Sequence, residues 1–242
     1  MADRASIVTG ASSGIGFAIA KMLGEEGHAL TIAARRPDKL EAAATELQGL
    51  GFDVQHVAGN LGDEEDIKRV VAAHRERHGR CDVLVNNAGV GMGELIGDLS
   101  TKKLDIQINT NFRSIPLFYR EALPLLQKAG AEHRNALVVN TSSISGKQGE
   151  AWLSVYSATK HAVIGFTQAM NKELGSHGIK STALAPGFVD TPMTDFVKEQ
   201  IPAEQMIQPT DLAGSVRFLL RLSPGCFVPE IVFDRPDQGF GS

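Results

Sequence analysis

Short apolar runs alternate with amphipathic stretches from one end of this 242-residue chain to the other. The runs fall at Ala5–Val8, Ala29–Ala34, Val54–Val57, Cys81–Val85, Ala136–Asn140, Ile179–Ala185 and Glu230–Phe233. Helical spacing fills the gaps: a helix closing near Glu26, then Pro37–Leu50, Glu64–His78 capped by Asp63, Ser100–Ala129, Ser154–His177 and Thr210–Leu222. Strands that are apolar throughout are buried on both faces, and a helix between successive strands makes each connection a parallel crossover. The expectation is an α/β fold, a doubly wound parallel sheet of about seven strands with helices on both faces. No repeat or internal linker interrupts the pattern, so residues 1–242 read as a single domain. Pro116 should kink or interrupt the long fourth helix, because its ring blocks one backbone bond. Met193–Ile207 has a mobile look, and residues 188–208 read as a substrate lid.

Ligands of such sheets bind beyond the carboxyl ends of the strands. After the first run stands Thr9-Gly10-Ala11-Ser12-Ser13-Gly14-Ile15-Gly16, then a helix. Gly10 permits a tight turn, while Gly14 and Gly16 let the backbone approach a ligand and let the helix sit close on the sheet. Through Ser12, Ser13, Gly14 and Ile15 the helix start offers free N–H groups and a positive dipole to a pyrophosphate. This is the phosphate-binding turn of a Rossmann fold, spaced Gly-x-x-x-Gly-x-Gly instead of the commoner Gly-x-Gly-x-x-Gly.

The second run ends Ala33-Ala34-Arg35-Arg36-Pro37. An acidic residue there would bind the ribose 2′-hydroxyl of NAD. Ala34 fills that slot, and Arg35, with Arg36 beside it, suits a 2′-phosphate in a forked, charge-assisted geometry, so NADP(H) is the expected cofactor. Asn60 and Leu61 end the third run, where an adenine would lie. The fourth ends in Asn86-Asn87-Ala88-Gly89, fit for close approach to a ribose. Ser143 follows the fifth run. Pro186-Gly187 ends the sixth and leads through Val189 to Thr191.

Tyr156 and Lys160 are four apart on the fifth helix, Ser154–His177, and project from the same face. At about 5 Å and an effective dielectric near 20, an ammonium favours a phenolate by roughly 3 kcal/mol, or about two pKa units. The expectation is a tyrosine brought within range of acid–base work near neutral pH.

The formal net charge of −4 argues against non-specific nucleic-acid binding. No apolar run is long enough to span a membrane, and Met1–Ser6 has no secretory layout. Cys81 and Cys226 make no disulfide framework, and a cytoplasmic protein is the simplest reading. No metal-ligand cluster is visible; His74 and His78 read as a solvated helix face.

Taken together, Thr9-Gly-x-x-x-Gly-x-Gly16, Asn86-Asn-Ala-Gly89, Asn111, Ser143, Tyr156-x-x-x-Lys160 and Pro186-Gly187 with Thr191 closely resemble the short-chain dehydrogenase/reductase family. The likeness runs from Thr9 to about Phe233. It implies that Tyr156 protonates a carbonyl oxygen and that Lys160 lowers its pKa, binds the nicotinamide ribose and joins a proton relay. It implies that Ser143 hydrogen-bonds the substrate carbonyl and that Asn111, rather than Asn109, holds a relay water. Val189 and Thr191 would hold the nicotinamide carboxamide. Asn60 departs from the family's frequent Asp. The tail Asp234–Gly239 departs from the paired-glycine ending that often helps build a tetramer, leaving a homo-oligomer, dimer or tetramer, as the expectation.

The leading expectation is reduction of a mid-sized apolar ketone or aldehyde, with Trp152, Leu153, Phe188, Met193 and Phe196 lining the pocket. The alternative within enzymes is a 3-oxoacyl-[acyl-carrier-protein] reductase; Arg134 matches a carrier-docking position, and His177 replaces a second expected arginine. The alternative of another class is a non-catalytic NADPH-binding redox sensor, against which the Tyr–Lys pair stands.

Overall fold

The computed structural model describes residues 4–236. Seven strands, β1 (Arg4–Thr9), β2 (His28–Ala34), β3 (Val54–Ala58), β4 (Val83–Asn86), β5 (Ala136–Thr141), β6 (Ile179–Pro186) and β7 (Glu230–Phe233), form one sheet. Their order is β3-β2-β1-β4-β5-β6-β7, and every pairing is parallel. The winding reverses between β1 and β4, which opens a crevice at their carboxyl ends. The helices are α1 (Gly14–Glu25), α2 (Pro37–Gly49), α3 (Glu64–His78), α4 (Thr101–Ile108), α5 (Ser114–His133), α6 (Ser154–Leu174) and α7 (Pro209–Leu220).

Side-chain alternation along the strands divides the core into two layers. Val8, Val83, Val85 and Val139 point to the face covered by α1, α2 and α7. Ile7, Leu84 and Val138 point to the face covered by α3, α5 and α6. Both faces are dry, which explains the unbroken apolar runs.

Two expectations are corrected. The long fourth helix is interrupted before Pro116: α4 and α5 are joined by a π-helical turn over Asn109–Arg113. There Ser114 N–H reaches back five residues to the Asn109 carbonyl. Pro116 lies in the first turn of α5 and has no N–H to offer the carbonyls behind it, so the widening falls on its N-terminal side. His74, read as solvated, is fully buried, and its ring joins the Thr31 hydroxyl at 2.7 Å to the Arg80 carbonyl at 2.8 Å.

Residues 188–208 form a loop closed at its base. Ile207 N–H donates to the Phe188 carbonyl at 3.0 Å and Asp190 N–H to the Ile207 carbonyl at 2.9 Å. Short 3-10 turns, Pro192–Val197 and Ala203–Gln205, lie within it. The Asp237–Gly239 part of the tail, and Met1–Asp3, lie outside the described residues.

Candidate active site

The glycine turn is a cradle that side chains would fill. Gly10 and Gly14 have φ of 66° and 57°, in the left-handed region. A Cβ on Gly10 would stand 3.0 Å from the Ala88 backbone, and one on Gly14 2.9 Å from the Thr191 methyl. A Cβ on Gly16 would strike the Gly10 carbonyl, so α1 starts flush against the turn. Ser13 precedes α1 without a side-chain capping bond, and the first turn carries no acid. Its orphan N–H groups therefore face the crevice with their positive dipole intact, as a pyrophosphate requires.

Thr9, which the sequence reading quoted only as part of the motif, is the buried hub of this edge. Its hydroxyl donates to the Val85 carbonyl at 3.1 Å and accepts from the N–H groups of Asn87 at 2.9 Å and Ala88 at 3.0 Å. The Asn87 amide donates to the Thr9 carbonyl at 3.2 Å and accepts from the Thr141 hydroxyl at 3.2 Å. Strands β1, β4 and β5 are thus locked together where a ribose would lie.

Arg35 and Arg36 are exposed at the end of β2, beyond buried Ala34. Neither forms an ion pair among the described residues, which leaves both guanidinium groups for a phosphate. Asn60 is exposed, and its side-chain Oδ1 accepts from Gly62 N–H at 3.2 Å. Leu61 is buried in the α3–α5 core, so only its backbone remains for a nucleotide. Asn109 and Thr110, not assigned from sequence, stand against Gly62 at this end of the crevice.

The structure separates the two asparagines. Asn111 is buried in the π turn; its amide donates to the Val90 carbonyl at 2.9 Å and accepts from Val90 N–H at 2.8 Å. A Cβ on Gly89 would lie 3.4 Å from Asn111 Oδ1 and 3.7 Å from Lys160 Nζ, so these three residues meet. Ser142 donates to the Lys160 carbonyl at 2.9 Å and binds α6 to the end of β5. This places Ser143 beside Tyr156, where its hydroxyl pulls the phenol's pKa down; the same hydroxyl accepts from Ser145 N–H at 3.2 Å.

Lys160 Nζ lies 5.5 Å from the centre of the Tyr156 ring and donates to the Thr141 carbonyl at 2.8 Å. The expected lowering of the phenol is not what the chain shows. Burial pushes Tyr156 up, and Ser143 only partly offsets this. Burial also brings Lys160 down to about 8. In a dry pocket the ammonium suffers the same desolvation as the phenolate, and a cation spent on a carbonyl is a weak partner.

Pro186 ends β6. Gly187 N–H donates to the Phe233 carbonyl at 2.9 Å. Val189 is buried under the loop, and its carbonyl accepts from the Thr194 hydroxyl at 2.6 Å. Thr191 starts the Pro192–Val197 turn and faces Gly14. Among the residues expected to line an apolar pocket, Trp152, Met193 and Phe196 are exposed, while Leu153 and Phe188 are half-buried. A cavity of about 230 Å³ lined by Arg134, Lys180 and Phe227 lies at the opposite edge of the sheet, away from this chemistry.

A family profile described as short chain dehydrogenase matches residues 4–202. The 3-oxoacyl-[acyl-carrier-protein] reductase FabG of Staphylococcus aureus is 35% identical over 227 residues, covering 89% of this chain and 90% of that protein. A variant of actinorhodin polyketide ketoreductase, solved with NADPH, superposes with a TM-score of 0.86 at 31% identity, covering 95% and 94% of the two chains. A short chain dehydrogenase from Burkholderia cenocepacia, in complex with NADP, gives 0.85 at 27% identity, with 97% of each chain covered. The family profile, the identity shared with curated relatives over most of the length and the likeness of the seven-stranded parallel sheet to solved relatives agree, and the chain belongs to the short-chain dehydrogenase/reductase family.

Proposed function

We propose that this protein reduces the carbonyl group of a mid-sized apolar ketone or aldehyde to an alcohol with NADPH. It is an NADP(H)-dependent oxidoreductase, and the solved relatives bound to NADP or NADPH support that cofactor. The chain's own residues fit it: a cradle that excludes side chains, an open helix start, and two free arginines beyond β2. Bound NADPH supplies the hydride to the carbonyl carbon. The protein supplies position and the proton.

The observation that carries this reading is Tyr156 beside Ser143 and Lys160 on the same sheet edge as the cradle. A phenol raised by burial stays protonated at neutral pH, the state a proton donor needs. Tyr156 gives its proton to the carbonyl oxygen, and Ser143 donates a hydrogen bond to that oxygen. Lys160 holds the nicotinamide ribose and returns a proton to Tyr156. Asn111, clamped on Val90, keeps the path beside Lys160 and Gly89 in shape. Val189 and Thr191 hold the carboxamide, and residues 188–208 act as the lid of this one domain. The working form is a homo-oligomer of this chain, a dimer or tetramer. NADPH consumption with a panel of ketones and aldehydes tests the reading; no turnover of any carbonyl would end it.

A second reading, reduction of a 3-oxoacyl group on an acyl carrier protein, is supported by the FabG likeness. Kinetics with a 3-oxoacyl thioester against simple ketones separate the two.

A further inference from the structure

Trp152 is held in a backbone conformation that bulky residues avoid. Its φ is 69°, and Arg134 is the other non-glycine residue in the left-handed region among those described. Such strain persists where surroundings over-determine it, and it collects at working sites. Two contacts fix Trp152. Glu94 N–H donates to its carbonyl at 2.7 Å. Its ring lies on Gly93: a Cβ there would run into Cδ2, Cε2 and Cε3 at nearly equal separations. Equal approach to three fused-ring atoms means contact with the face of the indole, not its edge. Any larger residue at 93 would expel the ring.

The pair stands at the mouth of the site. Trp152 is four residues before Tyr156, just ahead of α6, and Gly93 is four residues beyond Gly89, which abuts Asn111 and Lys160. Two residues back along this strip, Met193 Sδ lies 3.9 Å from where a Gly91 Cβ would sit. Glu94, the nearest acid in sequence, is turned to Lys103 in an ion pair. Half of the Trp152 surface is open to solvent, so the indole face away from Gly93 is free.

We propose that Trp152, seated on Gly93, is a specificity-determining wall whose free face stacks on a flat aromatic body next to the substrate carbonyl. This rests on the carbonyl-reductase reading and narrows its substrate class to aryl ketones and aldehydes. Offset stacking on an indole rewards a planar ring and gives little to a flexible chain of equal carbon count.

The test compares kcat/KM for 2-acetonaphthone and 2-dodecanone, methyl ketones of equal carbon count, in wild type, Trp152→Gly, Gly93→Ala and the double variant. Glycine at 152 accepts the observed φ, so that variant keeps the backbone. The aryl-to-alkyl ratio should fall about tenfold in Trp152→Gly. It should also fall in Gly93→Ala, and no further in the double variant than in Trp152→Gly alone. Trp152 is the sole tryptophan, so its emission reports the contact directly and should shift to the red in Gly93→Ala. An unchanged ratio, additive losses, unchanged emission, or wild-type turnover of the alkyl ketone alone would each overturn the inference. Wild type inert toward every carbonyl would overturn the carbonyl-reductase reading, and this inference with it. Turnover of both ketones at a ratio that ignores residue 152 would overturn only the wall.

Discussion

The Lys160 ammonium donates to the Thr141 carbonyl at 2.8 Å, in a pocket dry enough to bring its pKa down to about 8. Carbonyl reduction needs Lys160 charged and Tyr156 protonated. Both forms persist at low pH, and the lysine loses its proton first as pH rises. The pH profile of kcat/KM, which reports the free enzyme, should be level below neutrality and fall through about pH 8. A profile that climbs from pH 6 to pH 9 would contradict the assignment.

On the proposed reading, Arg35 binds the cofactor's 2′-phosphate. Arg35→Asp should raise the NADPH dissociation constant about tenfold to a hundredfold, the scale of one lost charge-assisted bond plus a new repulsion, and change that of NADH much less. Titration of both nucleotides by fluorescence checks this. Equal effects would remove Arg35 from the phosphate site.

Thr9 offers one hydroxyl to three backbone groups. Thr9→Val keeps the shape and leaves the Asn87 and Ala88 N–H groups without a partner. The loss should be about 3 kcal/mol in stability, with weaker NADPH binding because the ribose edge loosens. Urea unfolding measures the first and nucleotide titration the second. A change under about 0.5 kcal/mol would show that water replaces the hydroxyl without cost.

His28 and His74 are each lowered by burial to about 4. Between pH 6.5 and 4 the unfolded chain binds more protons at these rings than the folded chain does. Stability is therefore full above that window and falls as pH drops through it, by up to about 3 kcal/mol per ring. Melting temperature should decline from pH 7 to pH 4, and less steeply in His74→Gln. Equal slopes in the two proteins would show that the folded His74 ring takes up its proton as readily as the unfolded one.

Much of this was legible from residues alone. The apolar runs gave the inner strands because β2, β5 and β6 are buried along their whole length, while the edge strands β3 and β7 are only half-buried. The glycines mark the cradle because no side chain fits there. What stayed hidden depends on distance in space. The π turn around Asn111 arises from a proline whose effect falls behind it. His74 looked solvated among charged neighbours, since its partner Thr31 is on β2, forty-three residues away in sequence. The Tyr156 phenol goes up instead of down because helical spacing reports adjacency and says nothing of desolvation. Gly93 carried no motif; only the coordinates put it under Trp152.

The most direct test is Tyr156→Phe, assayed for NADPH-dependent carbonyl reduction and, separately, for NADPH affinity. Loss of the phenolic proton should lower kcat at least a hundredfold, the scale of one lost general acid, with NADPH binding kept within about threefold. Turnover retained within about tenfold, with the nucleotide still bound, would contradict the proton-donor role on which this account stands.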